Sequence, residues 1–137
     1  MSKLERQPAE KQYIDVRPED HILCLNISKT YKSKERTDIY DCVRHYWRLN
    51  IKRAELANLV FAIVDGIIVG VFQPIRWYKS NHPQYTNRFE FEGVKKECPF
   101  YLGKSVLNVR NSKSQNPVSY INLQLFDTMH LNLLKNI

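Results

Sequence analysis

The chain has 137 residues, 43% hydrophobic and 26% charged, with a formal net charge of +7 and a pI near 9.4. That length suits a single domain whose own core suffices for stability, and no apolar run reaches the roughly 20 residues of a membrane-spanning helix, so no membrane partner is expected. The start, MSKLERQPAEKQ, lacks an apolar signal core, and Cys24, Cys42 and Cys98 are odd in number without a C-x-x-C pair, which predicts a cytoplasmic protein with reduced, packing thiols. The positive balance attracts polyanions, namely nucleic acid, an anionic surface or an acidic protein, although Lys-rich composition also serves plain solubility.

Residues 1–18 are polar, carry Pro8 and Pro18, and read as an amino-terminal arm; residues 19–137 read as one α+β domain. Ile22 to Ile27 is a buried strand by its apolar run, and the Lys- and Ser-containing stretch from Ser28 to Arg36 reads as a loop. Thr37 or Asp38 is an N-cap for a helix expected to run to about Leu49, with Ile39, Cys42, Val43, Tyr46 and Leu49 as its core stripe. Tyr40, Arg44 and Trp47 form a neighbouring stripe, and Asp41, His45 and Arg48 a solvated one. Residues 51–58 suggest a second short helix stopped at Asn58.

Leu59 to Tyr78 is the strongest local signal. Two β-branched runs flank Asp65-Gly66, a pair suited to the positive φ angles of a type I′ turn, and both faces of each run are apolar, which places this hairpin inside a sheet. It delivers Arg76, Trp77 and Tyr78 to its far end. After a polar loop over residues 79–87, Arg88 to Glu92 alternates as a half-buried strand with Phe89 and Phe91 inward, Glu90 and Glu92 outward, and Gly93 as its end. A helical turn within 94–108, a strand-like Ser105 to Val109, a loop from Asn111 to Pro117, a closing strand from Val118 to Phe126 and a short helix over Asp127 to Leu134 complete the pattern.

Catalytic signatures are lacking. The Gly103-Lys104 pair has no upstream glycine of a phosphate loop, and His21, His45, His82 and His130 show no metal-ligand spacing, so no cofactor and no metal site are implied. Binding has more support, because aromatic and Arg side chains recur together at Tyr40/Arg44/Trp47, Arg76/Trp77/Tyr78 and Tyr85/Arg88. Flat rings stack on bases while guanidinium groups engage phosphates or base edges, a combination suited to single-stranded or flipped-out nucleotides. Each indole is also explained by packing at the rim of the core with an Arg stem across it. The amide- and hydroxyl-rich run from Arg110 to Asn122 can read bases or donate to phosphates; Asn116 before Pro117 also suits a plain Asx-turn.

Four to six strands without regular βαβ alternation predict a small curved or barrel-like mixed sheet with flanking helices, an architecture that resembles PUA-like folds, including the EVE and ASCH domains. The motif order Tyr40-Asp41-x-x-Arg44-x-x-Trp47, Arg76-Trp77, Arg88-Phe-Glu-Phe-Glu-Gly93, Tyr101-x-Gly103-Lys104-x-Val106 and Asn116-Pro-Val-x-Tyr120-x-Asn122 resembles a bacterial and phage domain family known by that order. The likeness covers about residues 37–122, and it implies that Tyr40, Arg44, Trp47, Trp77, Lys104, Asn116 and Tyr120 form one site. With Arg76 added, the expected function is a nucleic-acid-binding module that holds a base in an aromatic/Arg pocket within a basic surround. Two alternatives stay open: a small nuclease or phosphoryl-transfer enzyme of a toxin or defence system, using Arg44, Lys104 and a carboxylate such as Glu90, and a protein-interaction domain anchored by Trp and Tyr.

Overall fold

The computed structural model describes residues 12–36, 38–109 and 116–123. Among them the chain forms β1 (Ile22–Asn26), α1 (Ser28–Ser33), α2 (Ile39–Val43), α3 (Ile51–Ala54), β2 (Leu59–Val64), β3 (Ile67–Lys79), β4 (Phe89–Lys95) and β5 (Val118–Ile121). The strands make one mixed sheet in the order β4-β3-β2-β1-β5, an α+β arrangement that is open and not closed into a barrel. The expected helix over Asp127 to Leu134 and the far end of the closing strand lie outside the described residues.

The hairpin forms as its residues dictate. Asp65 (φ 51°) and Gly66 (φ 81°) take the two left-handed positions of the turn, and β2 and β3 occupy the interior of the sheet. Leu59, Phe61 and Ile63 face one core layer while Val60, Ala62 and Val64 face the other. On the first of these layers Ile14, Tyr101 and Val106 cover Phe61, Ile63 and Ile68; on the second, Cys42, Val43, Trp47 and Ala54 from the β1–β2 crossover cover Leu23, Val60 and Phe91. Each large apolar side chain sealed between such layers contributes about 1.5–3 kcal/mol. β1 pairs parallel to β2, in register from Ile22↔Leu59 to Asn26↔Ile63, which requires the long helical crossover between them.

Several elements depart from the sequence reading, each for a local reason. Ser28–Ser33 is helical and not a loop, because the Asn26 side chain accepts from both Ser28 N (2.9 Å) and Ser28 Oγ (2.6 Å) and starts the turn. The same Ser28 hydroxyl accepts from Asp65 N (3.0 Å), which pins α1 to the hairpin turn. Asp38 is the expected N-cap, its carboxylate accepting from Asp41 N at 2.7 Å, but α2 stops at Val43, six residues before the expected end at Leu49. α3 likewise covers only residues 51–54, capped by Asn50. Gly93 does not end β4: it pairs with Pro74 beside a β-bulge, where an added Cβ would stand 2.7 Å from the Gln73 carbonyl oxygen. Ser105 makes only isolated bridges, to Tyr13 and Ile67, in place of the expected strand to Val109. Glu90 faces inward, 7% exposed, because Tyr78 and Arg44 bind its carboxylate.

Tyr101 ties residues 12–20 to the sheet. Its hydroxyl donates to Asp20 and accepts from Arg17 N, and burial together with the Asp20 bond pushes its pKa up to about 12. Since the folded value lies above the unfolded value of about 10, this contribution is complete below pH 10 and is lost as pH rises through 12. Stability to urea therefore falls between pH 10 and 12, and less steeply in Tyr101→Phe; an equal decline in the variant contradicts this assignment.

Candidate nucleic-acid interface

The site begins where α2 breaks off. Residues 44–47 leave the helix to pair with the edge of β4: Trp47 N donates to Phe89 O (2.9 Å), Phe89 N to Trp47 O (2.8 Å) and Phe91 N to Arg44 O (2.8 Å). A free strand edge is a row of unsatisfied donors and acceptors, and satisfying it outweighs another turn of helix. The Trp47 indole turns into the core at 9% exposure, with Nε1 donating to Val43 O at 2.6 Å. The His45–Tyr46 peptide bond is cis. Tyr46, expected on the core stripe, is half-buried and lines a groove instead, with Arg48 exposed beside it.

That groove, about 720 Å³, lies between α1, the 45–48 segment, the loop before β4 and the start of β5. Lys29, Arg36, Arg48 and Arg88 line it against a single carboxylate among the described residues, Glu35. Among the described residues none of these four cations is in an ion pair, whereas Lys32, Arg44 and Arg76 are paired with Asp65, Glu90 and Glu92. The Tyr46 and Tyr85 rings stack at 4.8 Å and 24°, with His82 packed on both. Arg36 lies 5.2 Å over the Tyr46 ring and Arg88 5.2 Å over Tyr85. Backbone bonds of the 80–88 loop hold Tyr85 there: Tyr85 N donates to His82 O, Arg88 N to Tyr85 O and Ser80 N to Arg88 O.

Behind the groove wall runs a chain of alternating charges. Arg36 sits on His45, His45 Nε2 donates to Asp41 (3.3 Å), Arg44 reaches both Asp41 (3.8 Å) and Glu90 (3.3 Å), and the Tyr78 hydroxyl donates to Glu90 (3.0 Å). Burial, and then the neighbouring Arg36, lower the His45 pKa below its usual value, so the ring is neutral at pH 7. Burial and the Glu90 bond raise that of Tyr78, and burial raises that of the Cys42 thiol, which leaves it unreactive. Among the described residues no group of three His, Cys, Asp or Glu side chains could hold a metal ion, and no helix is long and apolar enough to cross a membrane.

The residues singled out in the sequence divide among several places. Trp47 and Asn116 line the groove, Asn116 from the β5 side, where its side-chain Oδ1 accepts from Val118 N. Tyr120 and Asn116 line an adjoining pocket of about 340 Å³, in which Arg53 lies 4.0 Å over the Tyr120 ring. Tyr40 and Arg44 belong to the scaffold: the Tyr40 hydroxyl accepts from Gly93 N and its ring packs on Phe72, while Arg44 serves the charge chain. Arg76 pairs with Glu92 over the Tyr78 ring, and Trp77 packs on Phe91 at 4.9 Å with a buried, unpartnered Nε1. Lys104 is on the opposite layer, over Phe100, and so does not converge with Arg44 and Glu90. Lys29, Arg36, Tyr46, Arg48, Tyr85 and Arg88 line the groove without belonging to the expected site residues, although Tyr85 and Arg88 recur together in the sequence.

Comparison of the chain with protein-family models, curated proteins and solved structures finds no match. Its geometry is therefore the basis of the functional reading.

The two tryptophans separate in their expected response to substitution. Trp47→Ala leaves a core cavity and lowers stability by about 3–5 kcal/mol in chemical denaturation. Trp77→Phe removes a polar atom that has no partner among the described residues and changes stability by less than about 1 kcal/mol. An unchanged denaturation midpoint in Trp47→Ala contradicts the structural role given to that ring.

Proposed function

We propose that this chain binds single-stranded nucleic acid in the groove between α1 and the loop before β4, with bases against the Tyr46/Tyr85 stack and phosphates on Lys29, Arg36, Arg48 and Arg88. The observation that carries this reading is the coincidence, in one open groove, of four cations outside any ion pair among the described residues and an aromatic stack crowned by two guanidinium groups. Outside the groove Arg76 is paired with Glu92 and Lys32 with Asp65, while Lys34, Lys52, Lys79, Lys95 and Lys96 are exposed in no ion pair among the described residues. It is therefore the company of the aromatic stack that sets the groove cations apart. A row of cations left without carboxylates attracts a polyanion, and a base stacked on an aromatic ring adds about 1–3 kcal/mol without demanding a sequence. The base-holding mode expected of PUA-like readers is part of this proposal, with the platform built from tyrosines in place of the two indoles.

Fluorescence anisotropy with short single- and double-stranded oligonucleotides tests it. If three or four phosphates are engaged, affinity for the single strand falls about 20- to 50-fold between 50 and 200 mM salt. Arg48→Ala and Arg88→Ala each flatten that salt dependence, Tyr85→Ala weakens binding about 5-fold or more, and Lys104→Glu on the opposite layer has little effect. Affinity that ignores salt, or that depends on Lys104 and not on Arg88, contradicts the proposal.

A further inference from the structure

The corner of the groove where Arg36 meets His45 combines features that no other cation in it shares. The Arg36 guanidinium has no carboxylate partner among the described residues, and its Nε is buried without a hydrogen bond. Its Nη1 is 2.9 Å from His45 Nε2 and 3.3 Å from Nδ1. A nitrogen that close to both ring nitrogens stands over the imidazole face and not in line with a lone pair, with the guanidinium carbon 5.2 Å from the centroid of the Tyr46 ring. A cation rests comfortably on a neutral ring and is repelled by an imidazolium.

The groups around His45 are set on opposite sides of this balance. Arg36 after α1 and Arg44 at the end of α2 disfavour a charged ring, whereas Asp41 on α2 and Glu90 on β4 favour it, and Tyr46 packs edge-on at 4.1 Å as an uncharged neighbour. An anion placed against Arg36 would join the second group and tip the ring to its charged form.

Resting on the proposed function, we infer that Arg36 and His45 form a phosphate subsite in which binding is coupled to proton uptake: His45 is neutral in the empty groove and becomes imidazolium when a phosphate sits beside Arg36. Coupling is reciprocal, so a ligand that raises the affinity of His45 for a proton is itself bound more tightly as pH falls. The sign agrees with stability. A histidine whose folded pKa is depressed contributes stability that is present above about pH 6.5 and lost as pH falls through the folded value; the bound phosphate offsets that loss. The neighbouring His82, packed on Tyr46 and Tyr85, serves as the control.

The test measures binding of short oligodeoxythymidine and of thymidine monophosphate at about pH 7.5 and 5.5, with His45 followed by NMR of its ring protons. One linked proton permits at most a tenfold gain per pH unit, and we expect about a 5- to 20-fold gain across the interval. The gain persists in His82→Gln, vanishes in His45→Gln, and is accompanied by a rise in the His45 titration midpoint on adding either ligand. Comparable coupling with the mononucleotide supports the subsite and assigns it to a free nucleotide in place of a strand. Binding whose pH dependence survives in His45→Gln, or an unmoved His45 midpoint at saturation, overturns the coupling while leaving the groove assignment intact. No binding of either ligand at either pH overturns both. Should His45→Gln fail to fold, the NMR arm on the unsubstituted protein decides alone.

Discussion

Everything distinctive about this molecule follows from how it satisfies the outer edge of β4. That strand needs partners for its backbone, and the chain supplies them from residues 44–47, which abandon the helix begun at Asp38 to donate to and accept from Phe89 and Phe91. Trp47 locks the arrangement three ways: two backbone bonds to Phe89, a side-chain bond to the Val43 carbonyl, and an indole sealed in the core. With His45 and Trp47 buried, Tyr46 and Arg48 are left half-buried and exposed along the groove. The groove is a by-product of closing an edge.

The remaining walls are held with comparable economy. Asn26 both ends β1 and starts α1, and Ser28 ties that helix to the Asp65-Gly66 turn, so Lys29 and Thr30 face the groove from a short but anchored element. Tyr85 is carried by a loop whose backbone bonds fold it back on Ser80 and Arg88, and Arg88 reaches over to the Tyr46 carbonyl. The charge chain from Tyr78 through Glu90, Arg44 and Asp41 to His45 neutralises the scaffold behind the groove, while the cations that face into it stay outside any ion pair among the described residues. This division between satisfied interior and unsatisfied rim is the physical basis of the proposed binding.

Elements governed by neighbours in sequence were legible in it: the hairpin with its Asp-Gly turn, the two-sided burial of β2, and the Asp38 cap all depend on a handful of adjacent residues. Elements governed by distant partners were not. The 3.6-residue pattern through Leu49 is real, yet α2 yields at Val43 to a strand more than forty residues away, which moves Tyr46 from the core stripe to the groove. Glu90 alternates with Phe91 as an outward residue would, but Arg44 and Tyr78 draw it inward. Lys104 belongs to a motif that looked continuous with Trp47 and Asn116, and the sheet itself separates them. An aromatic/Arg grouping was readable as a composition; which rings face water was decided by pairing across the sheet.

The most direct measurement of the central claim is photo-cross-linking of a 5-iodouracil-substituted single strand followed by mass spectrometry of the tryptic peptides. The account predicts adducts on Tyr46 or Tyr85. Adducts confined to Phe100 and its neighbours on the other layer, or to Tyr78 beside Arg76, would contradict it.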